Sequence, residues 1–338
     1  MGPIHNHRAD LAAAVAGVLW LAGAGHAQTA RTRTLVYDTD RQEWIEVAPP
    51  PPGTPEGELR VIRELIKSEK YGAALSAADD FIEAHGASHA LYPAALLAKA
   101  EAHIGREHFD EAHAVCQDFL NQFAGIDLTS EALRLEFIVG EAYLRGAKRK
   151  FLGMRILPAE DAGIRILDEI SADYPDSAFA ELAVKTKADH MFAVGDFALA
   201  ELEYSRLITD FPQSRYREYA LARSAKASLA SFAGVDYDDA ALIEAKDRYG
   251  GYQSRYPVAA RRDRVAAVLD SIEEMQAEKE MRIGQYYERT EHLASAVFYY
   301  GLVRDEWPET IAARKAADRL ELLGALRAAG GRETEPGP

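Results

Sequence analysis

Small and apolar residues recur along this chain in a fixed order. Ala74, Ala112, Gly163, Ala200, Ala245 and Ala296 each open the same pattern. Four residues on stand Ala78, Cys116, Leu167, Tyr204, Tyr249 and Tyr300; seven on stand Phe81, Phe119, Ile170, Leu207, Tyr252 and Val303. Positions 0, +4 and +7 lie on one face of an α-helix. Twelve residues on come Gly86, Ala124, Pro175, Pro212, Pro257 and Pro308, preceded by His85, Phe123, Tyr174, Phe211, Tyr256 and Trp307. Proline disfavours helical geometry in the residue before it, so an aromatic-Pro pair stops the helix. The pattern predicts the second helix of a helical hairpin, with a small residue where the two helices approach closely. First helices are read upstream at Tyr92–Ile104, Leu133–Leu144, Ala178–Val194 and Tyr216–Phe232.

The openings lie 38, 51, 37, 45 and 51 residues apart. A tetratricopeptide unit is about 34 residues, so these are long, irregular members of that class. The predicted fold is all-α: a tetratricopeptide-like helical-hairpin solenoid of five to six repeats over 57–324, with 325–338 as a disordered tail. Such arrays bind along a surface rather than perform chemistry in a pocket. Ahead of the array, residues 28–56 hold a different pattern. Thr34–Asp38 and Glu43–Val47 alternate apolar and polar residues, which predicts a small β-hairpin. Trp44 is then expected to pack on the first repeat or on a partner, because an isolated hairpin is marginal in water. Pro49–Pro52 form a stiff spacer.

Residues 1–27 read as a secretory signal peptide: Arg8, the apolar run Leu11–Ala24, then Gly25-His26-Ala27 with small residues at the cut. The reading implies export to the periplasm, with a retained membrane anchor as the alternative. Gln28 follows the cut, so no lipid-bearing cysteine is apparent there.

Charge and motifs narrow the function. Asp and Glu number 54 against 39 Lys and Arg, a net charge of −15, which argues against nucleic acid. No GxxxxGK[ST], GxSxG, HExxH or CxxC motif occurs; no enzyme, cofactor or metal is expected. His103, His108 and His113 are five residues apart and read as solvent-exposed side chains rather than ligands. His85 and His89 have metal spacing, but Gly86 breaks their helix. Asp236–Asp239 reads as helix N-capping. Cys116 lies in the +4 column and reads as a buried packing residue. One segment breaks the acidic background. Arg145, Lys148, Arg149, Lys150 and Arg155 interleave with Phe151, Leu152 and Met154. It reads either as a docking element for an acidic partner or anionic lipid, or as an extended helix end packed on the neighbouring repeat.

The C-terminal stretch from Asp236 to Leu323 carries a more specific likeness. An acid-rich loop precedes a repeat ending in aromatic-Pro, and a long linking helix follows. Next come the tandem Tyr286-Tyr287, the small Ala296, and the ending Trp307-Pro308-Glu309-Thr310. This resembles the last two repeats of the BamD (ComL-type) outer-membrane assembly family, and DFPQSRY near 210 fits its middle portion. The resemblance covers roughly residues 60–323. It implies a periplasmic scaffold whose C-terminal repeats dock the barrel-forming assembly protein and whose N-terminal repeats meet unfolded outer-membrane proteins. Tyr286 and Tyr287 are then candidate contacts, at least one of them serving the core, and the 145–155 segment offers peripheral membrane contact. The family is normally lipidated directly after its signal peptide, where this chain has Gln28. The alternative class is a periplasmic repeat protein coordinating cell division or Tol-Pal function.

Overall fold

A computed structural model describes residues 34–38, 43–47, 49–123 and 125–330; the predicted signal peptide lies outside them, as does 331–338. The chain divides into two compact units, up to Arg106 and from Glu107 onward.

The first unit opens with two antiparallel strands, β1 (Thr34–Asp38) and β2 (Glu43–Val47), in the register Thr34↔Val47 to Asp38↔Glu43. The packing predicted for Trp44 falls outside the described side chains. Three helices follow: α1 (Pro55–Lys67), α2 (Tyr71–His85) and α3 (Tyr92–Gly105). Thr54 sets the start of α1, its hydroxyl accepting the Gly57 N–H at 3.2 Å with Pro55 in the first turn. Each helix packs on the next, and α1 also meets α3.

The second unit runs α4 (Phe109–Phe123), α5 (Thr129–Leu144), β3 (Arg149–Phe151), β4 (Met154–Leu157), α6 (Glu160–Asp173), α7 (Ala178–Val194), α8 (Phe197–Asp210) and α9 (Arg217–Ala230). It continues with α10 (Ala240–Arg255), α11 (Pro257–Arg262), α12 (Val265–Arg289), α13 (Leu293–Glu306) and α14 (Ile311–Gly330). Within this unit the helices pack on their near neighbours in sequence, the arrangement of tetratricopeptide-like hairpins. The helix α14 reaches Gly330, past residue 325 where the tail was predicted to begin.

The repeating pattern falls on α2, α4, α6, α8, α10 and α13. Every residue at its 0, +4 and +7 positions is buried. The helices α6, α8, α10 and α13 end at the aromatic before proline, which becomes the C-cap at Tyr174, Phe211, Tyr256 and Trp307. Close approach is literal at Gly163, where an added Cβ would stand 2.8 Å from the Gly140 carbonyl oxygen of α5. The turn from α7 to α8 shows how two residues set a hairpin. Gly195 takes the left-handed conformation at φ 87°, ending α7, and Asp196 caps α8 by accepting the Leu199 N–H at 3.2 Å.

Between α5 and α6 the structure departs from the reading of the basic segment as an extended helix end packed on the neighbouring repeat. It is neither a helix end nor packed by its apolar side. It is an antiparallel hairpin pairing Lys150 with Arg155, and Leu152, Met154, Ile156 and Leu157 are exposed. The Gly146 and Gly153 turns stop the helix and reverse the chain, with φ of 99° and 79°.

Candidate partner-binding surfaces

The tandem tyrosines sit near the C-terminal end of α12, and their neighbours separate them. Tyr287 packs against the cluster of Ala277, Met281, Ala296, Tyr300 and Val303. It stacks on Tyr299 with centroids 5.5 Å apart and planes 13° off parallel. Tyr286, adjacent on the helix, is 55% exposed. It lines a groove of about 850 Å³ together with Asp236, Glu278, Arg282 and Lys315. Tyr287, Val235, Met281 and Ile283 also line it, so the groove sets aromatic and apolar atoms amid charges of both signs, with Tyr286 the more exposed of the two tyrosines.

Its walls are fixed by ties among α12, α13 and α14. The Glu274 carboxylate of α12 accepts the first two amides of α14, Ile311 at 2.6 Å and Ala312 at 3.0 Å. Thr310 completes that cap, accepting the Ala313 N–H at 3.0 Å. Glu288 accepts the Tyr300 hydroxyl at 2.6 Å and pairs with Arg319 of α14. The ion pair holds the Glu288 carboxyl below the usual range, more than offsetting its partial burial. The small Gly284 lets Tyr300 lie against α12, since a Cβ there would come 2.6 Å from its ring.

The acid-rich loop before α10 serves this surface rather than mainly capping. Asp238 accepts the Ala240 N–H at 3.1 Å. Asp239, though at the cap position, makes no side-chain cap bond, and its carboxylate pairs with Lys279 at 2.9 Å. Asp236 pairs with Arg282 at 2.9 Å. The loop thus clasps the long helix, and the Lys279 bond depresses the Asp239 carboxyl.

The basic segment is largely occupied by the protein's own acids. Arg145 pairs with Glu141 at 2.6 Å, Arg149 with Asp110 at 2.8 Å, and Lys150 with Glu111. Asp110 also accepts the Tyr143 hydroxyl at 2.9 Å and the Lys150 amide at 2.9 Å. These bonds outweigh desolvation and hold its carboxyl low. Lys148 and Arg155 pair with no described residue.

A further cluster, on α7 to α9, escaped the sequence reading. Asp189 accepts the hydroxyls of Tyr204 at 2.5 Å and Tyr219 at 2.6 Å, and pairs with Lys185 at 2.7 Å. Arg223 stacks 3.8 Å from the centre of the Phe192 ring. Burial, with Asp189 beside it, pushes the Tyr219 phenol up to about 12. The signal available was Tyr219-x-x-x-Arg223 on one helix face opposite Lys185-x-x-x-Asp189.

The histidines do not converge. His113 is part-buried and bonds Glu136 at 2.8 Å, so it is not the solvent-exposed side chain expected of it; His103 and His108 are likewise only partly exposed. His85 and His89 have ring centroids 5.0 Å apart, but His85 bonds Glu58 at 2.8 Å and His89 accepts the Leu91 N–H at 3.1 Å. Among the described residues no three His, Cys, Asp or Glu side chains form a group able to hold a metal. Cys116 is buried, and desolvation raises its thiol far above the ordinary value, which leaves it a packing residue.

Hairpins packed on their neighbours in sequence, with one long helix among them, define a tetratricopeptide-like repeat protein. Residues 158–325 match the family model YfiO, described as an outer membrane lipoprotein, and through that stretch the chain belongs to the YfiO (BamD) family. The match covers the C-terminal part of the expected 60–323. Solved structures also align, two of them as follows. PilW, described as a widely conserved type IV pilus biogenesis factor, is 17% identical, covering 79% of this chain and 100% of its own, at a TM-score of 0.31. The C-terminal part of a TPR repeat-containing protein from Cytophaga hutchinsonii is 12% identical, covering 77% and 98%, at 0.21. Likenesses this distant say nothing about function. No curated protein matches. Among the described residues no helix is long and apolar enough to cross a membrane.

Proposed function

We propose that this protein is a non-catalytic periplasmic scaffold of outer-membrane β-barrel assembly. Its α12–α14 surface holds the periplasmic part of the barrel-forming assembly protein, and its repeats receive unfolded outer-membrane proteins. The observation that carries the reading is the groove beside Tyr286. It lies within the family-matched stretch, and its walls are braced by three sets of bonds while the tyrosine itself stays exposed. An exposed aromatic on a rigid support is the usual anchor of a protein interface. The Asp189 cluster, with Tyr219 and Arg223, suits an extended chain carrying aromatic and acidic residues.

The test is a pull-down from detergent-solubilised native envelopes, read by mass spectrometry, with Tyr286→Ala beside the parent chain. Stoichiometric recovery of a large outer-membrane β-barrel with periplasmic domains is expected, falling at least tenfold for Tyr286→Ala, since hot-spot aromatics contribute about 2 kcal/mol or more. Recovery of division, cell-wall or Tol-Pal proteins instead would replace this reading with that of an envelope coordinator.

A further inference from the structure

The hairpin β3–β4 ends at Leu157, one residue before the family match begins. Its base is fixed to α4 through Asp110 and Glu111. Its tip is bare. Leu152 is 84% exposed and Met154 58%, with Ile156 and Leu157 also exposed.

The turn itself is unusual. Leu152 and Gly153 both have positive φ, 49° and 79°, a two-residue turn for which Asn-Gly is the low-energy pair. A leucine in that conformation is sterically disfavoured, and at this exposure it gains almost no burial in return. The ladder and the ties to Asp110 and Glu111 hold the turn in place but leave the Leu152 side chain uncovered.

Charge then indicates the occupant. Five cations lie in 145–155, against the three carboxylates Glu141, Asp110 and Glu111 that pair with three of them. Lys148 and Arg155 remain, giving a positive island on a chain of net charge −15. An apolar tip flanked by unpaired cations is the composition of an interfacial membrane anchor, where the apolar residues enter and the cations stay at phosphate level. An apolar protein groove would leave the cations without a role, and an acidic partner would leave the leucine without one.

We infer that the β3–β4 hairpin contacts an anionic phospholipid surface, inserting Leu152, Met154 and Ile156 between headgroups while Lys148 and Arg155 bind phosphates. The contact does not depend on the partner assigned to the α12–α14 groove.

The experiment uses the full chain with Leu152→Cys carrying an environment-sensitive dye; Cys116 is buried and does not compete for the label. The probes are vesicles of phosphatidylethanolamine and phosphatidylglycerol bearing brominated acyl chains, and vesicles of phosphatidylcholine alone. The dye is expected to shift to the blue and be quenched by the anionic vesicles only. Lys148→Gln and Arg155→Gln should each raise the lipid concentration needed by about fivefold. Because the readout is local to the tip, vesicle binding elsewhere on the chain cannot mimic it. A dye that stays in water with every vesicle overturns the proposal. So does one that responds to an apolar unfolded barrel peptide but not to lipid, which would assign the hairpin to a protein client.

Discussion

Single residues carry much of this structure, and the least expected of them is Glu136. It is fully buried on α5, bonded by His113 of α4 and approached by Gln117. Burial raises its carboxyl, and the Glu136 bond raises His113 above its ordinary 6.5 against desolvation; Glu169 and Arg165 of α6 act on His113 in opposite senses. Both groups bind protons more tightly folded than unfolded, so both shifts act with one sign. Their contribution is complete at low pH and is lost as pH rises, first from the mid-4s for Glu136, then through the raised pKa of His113. Urea unfolding at about pH 5.5 and about pH 8 should therefore show a fall in stability that His113→Gln reduces. An unchanged fall in the variant would place the linkage elsewhere. In the sequence, His113 was readable only as one of three evenly spaced histidines, because its partner sits 23 residues away on another helix. The small column was readable in full, since each member answers to one local rule: nothing larger than a methyl fits where the helices touch. Gly284 escaped that column because it lies on the linking helix, where the contact with Tyr300 comes from α13.

At the scale of elements, helices with strong stop signals were legible and their neighbours' demands on them were not. The helix α7 begins and ends where the pattern placed it, at Ala178 and Val194, because Ser177 and Gly195 are local devices. The hairpin β3–β4 was not legible because strands of three and four residues leave no periodicity, and its turn pair Leu-Gly is not a turn signature. Two of its cations read as free because the acids that pair Arg149 and Lys150 lie 39 residues back. The start of α14 shows the same dependence. Thr310 closes a recognisable aromatic-Pro-acidic-Thr motif, yet half of the cap arrives from α12, as Glu274 accepts two amides at the positive end of the helix dipole. Glu274→Ala should cost about 1–2 kcal/mol in chemical denaturation, with amide exchange rising first at Ile311 and Ala312. No change at those amides would mean the cap is dispensable.

At the scale of the whole molecule, a chain built by neighbour-to-neighbour packing answers perturbation differently from a globule with one core. Within the second unit each buried cluster draws on adjacent helices. Ala200 sits among Val184, Ala188, Tyr204, Leu207 and Ala220, all from α7, α8 and α9. The cluster of Tyr300, Ala296 and Ala316 draws on α12 to α14 alone. Stability in such a chain approximates a sum of repeat and interface contributions, so strain stays near its source. Replacing Ala200 with leucine forces a side chain into a fully buried helix contact, costing about 1–3 kcal/mol. Hydrogen exchange should then report lost protection in α7, α8 and α9 while α12 to α14 keep theirs. Recovery of the barrel-forming partner through the Tyr286 groove should be untouched, whereas binding of an extended chain at the Asp189 cluster should weaken. Uniform loss of protection through the unit would mean that its helices unfold as one body, and that the two surfaces cannot be varied independently. Local loss with both surfaces impaired would instead tie them energetically, so the two readouts separate the mechanics of the repeats from the partners they hold.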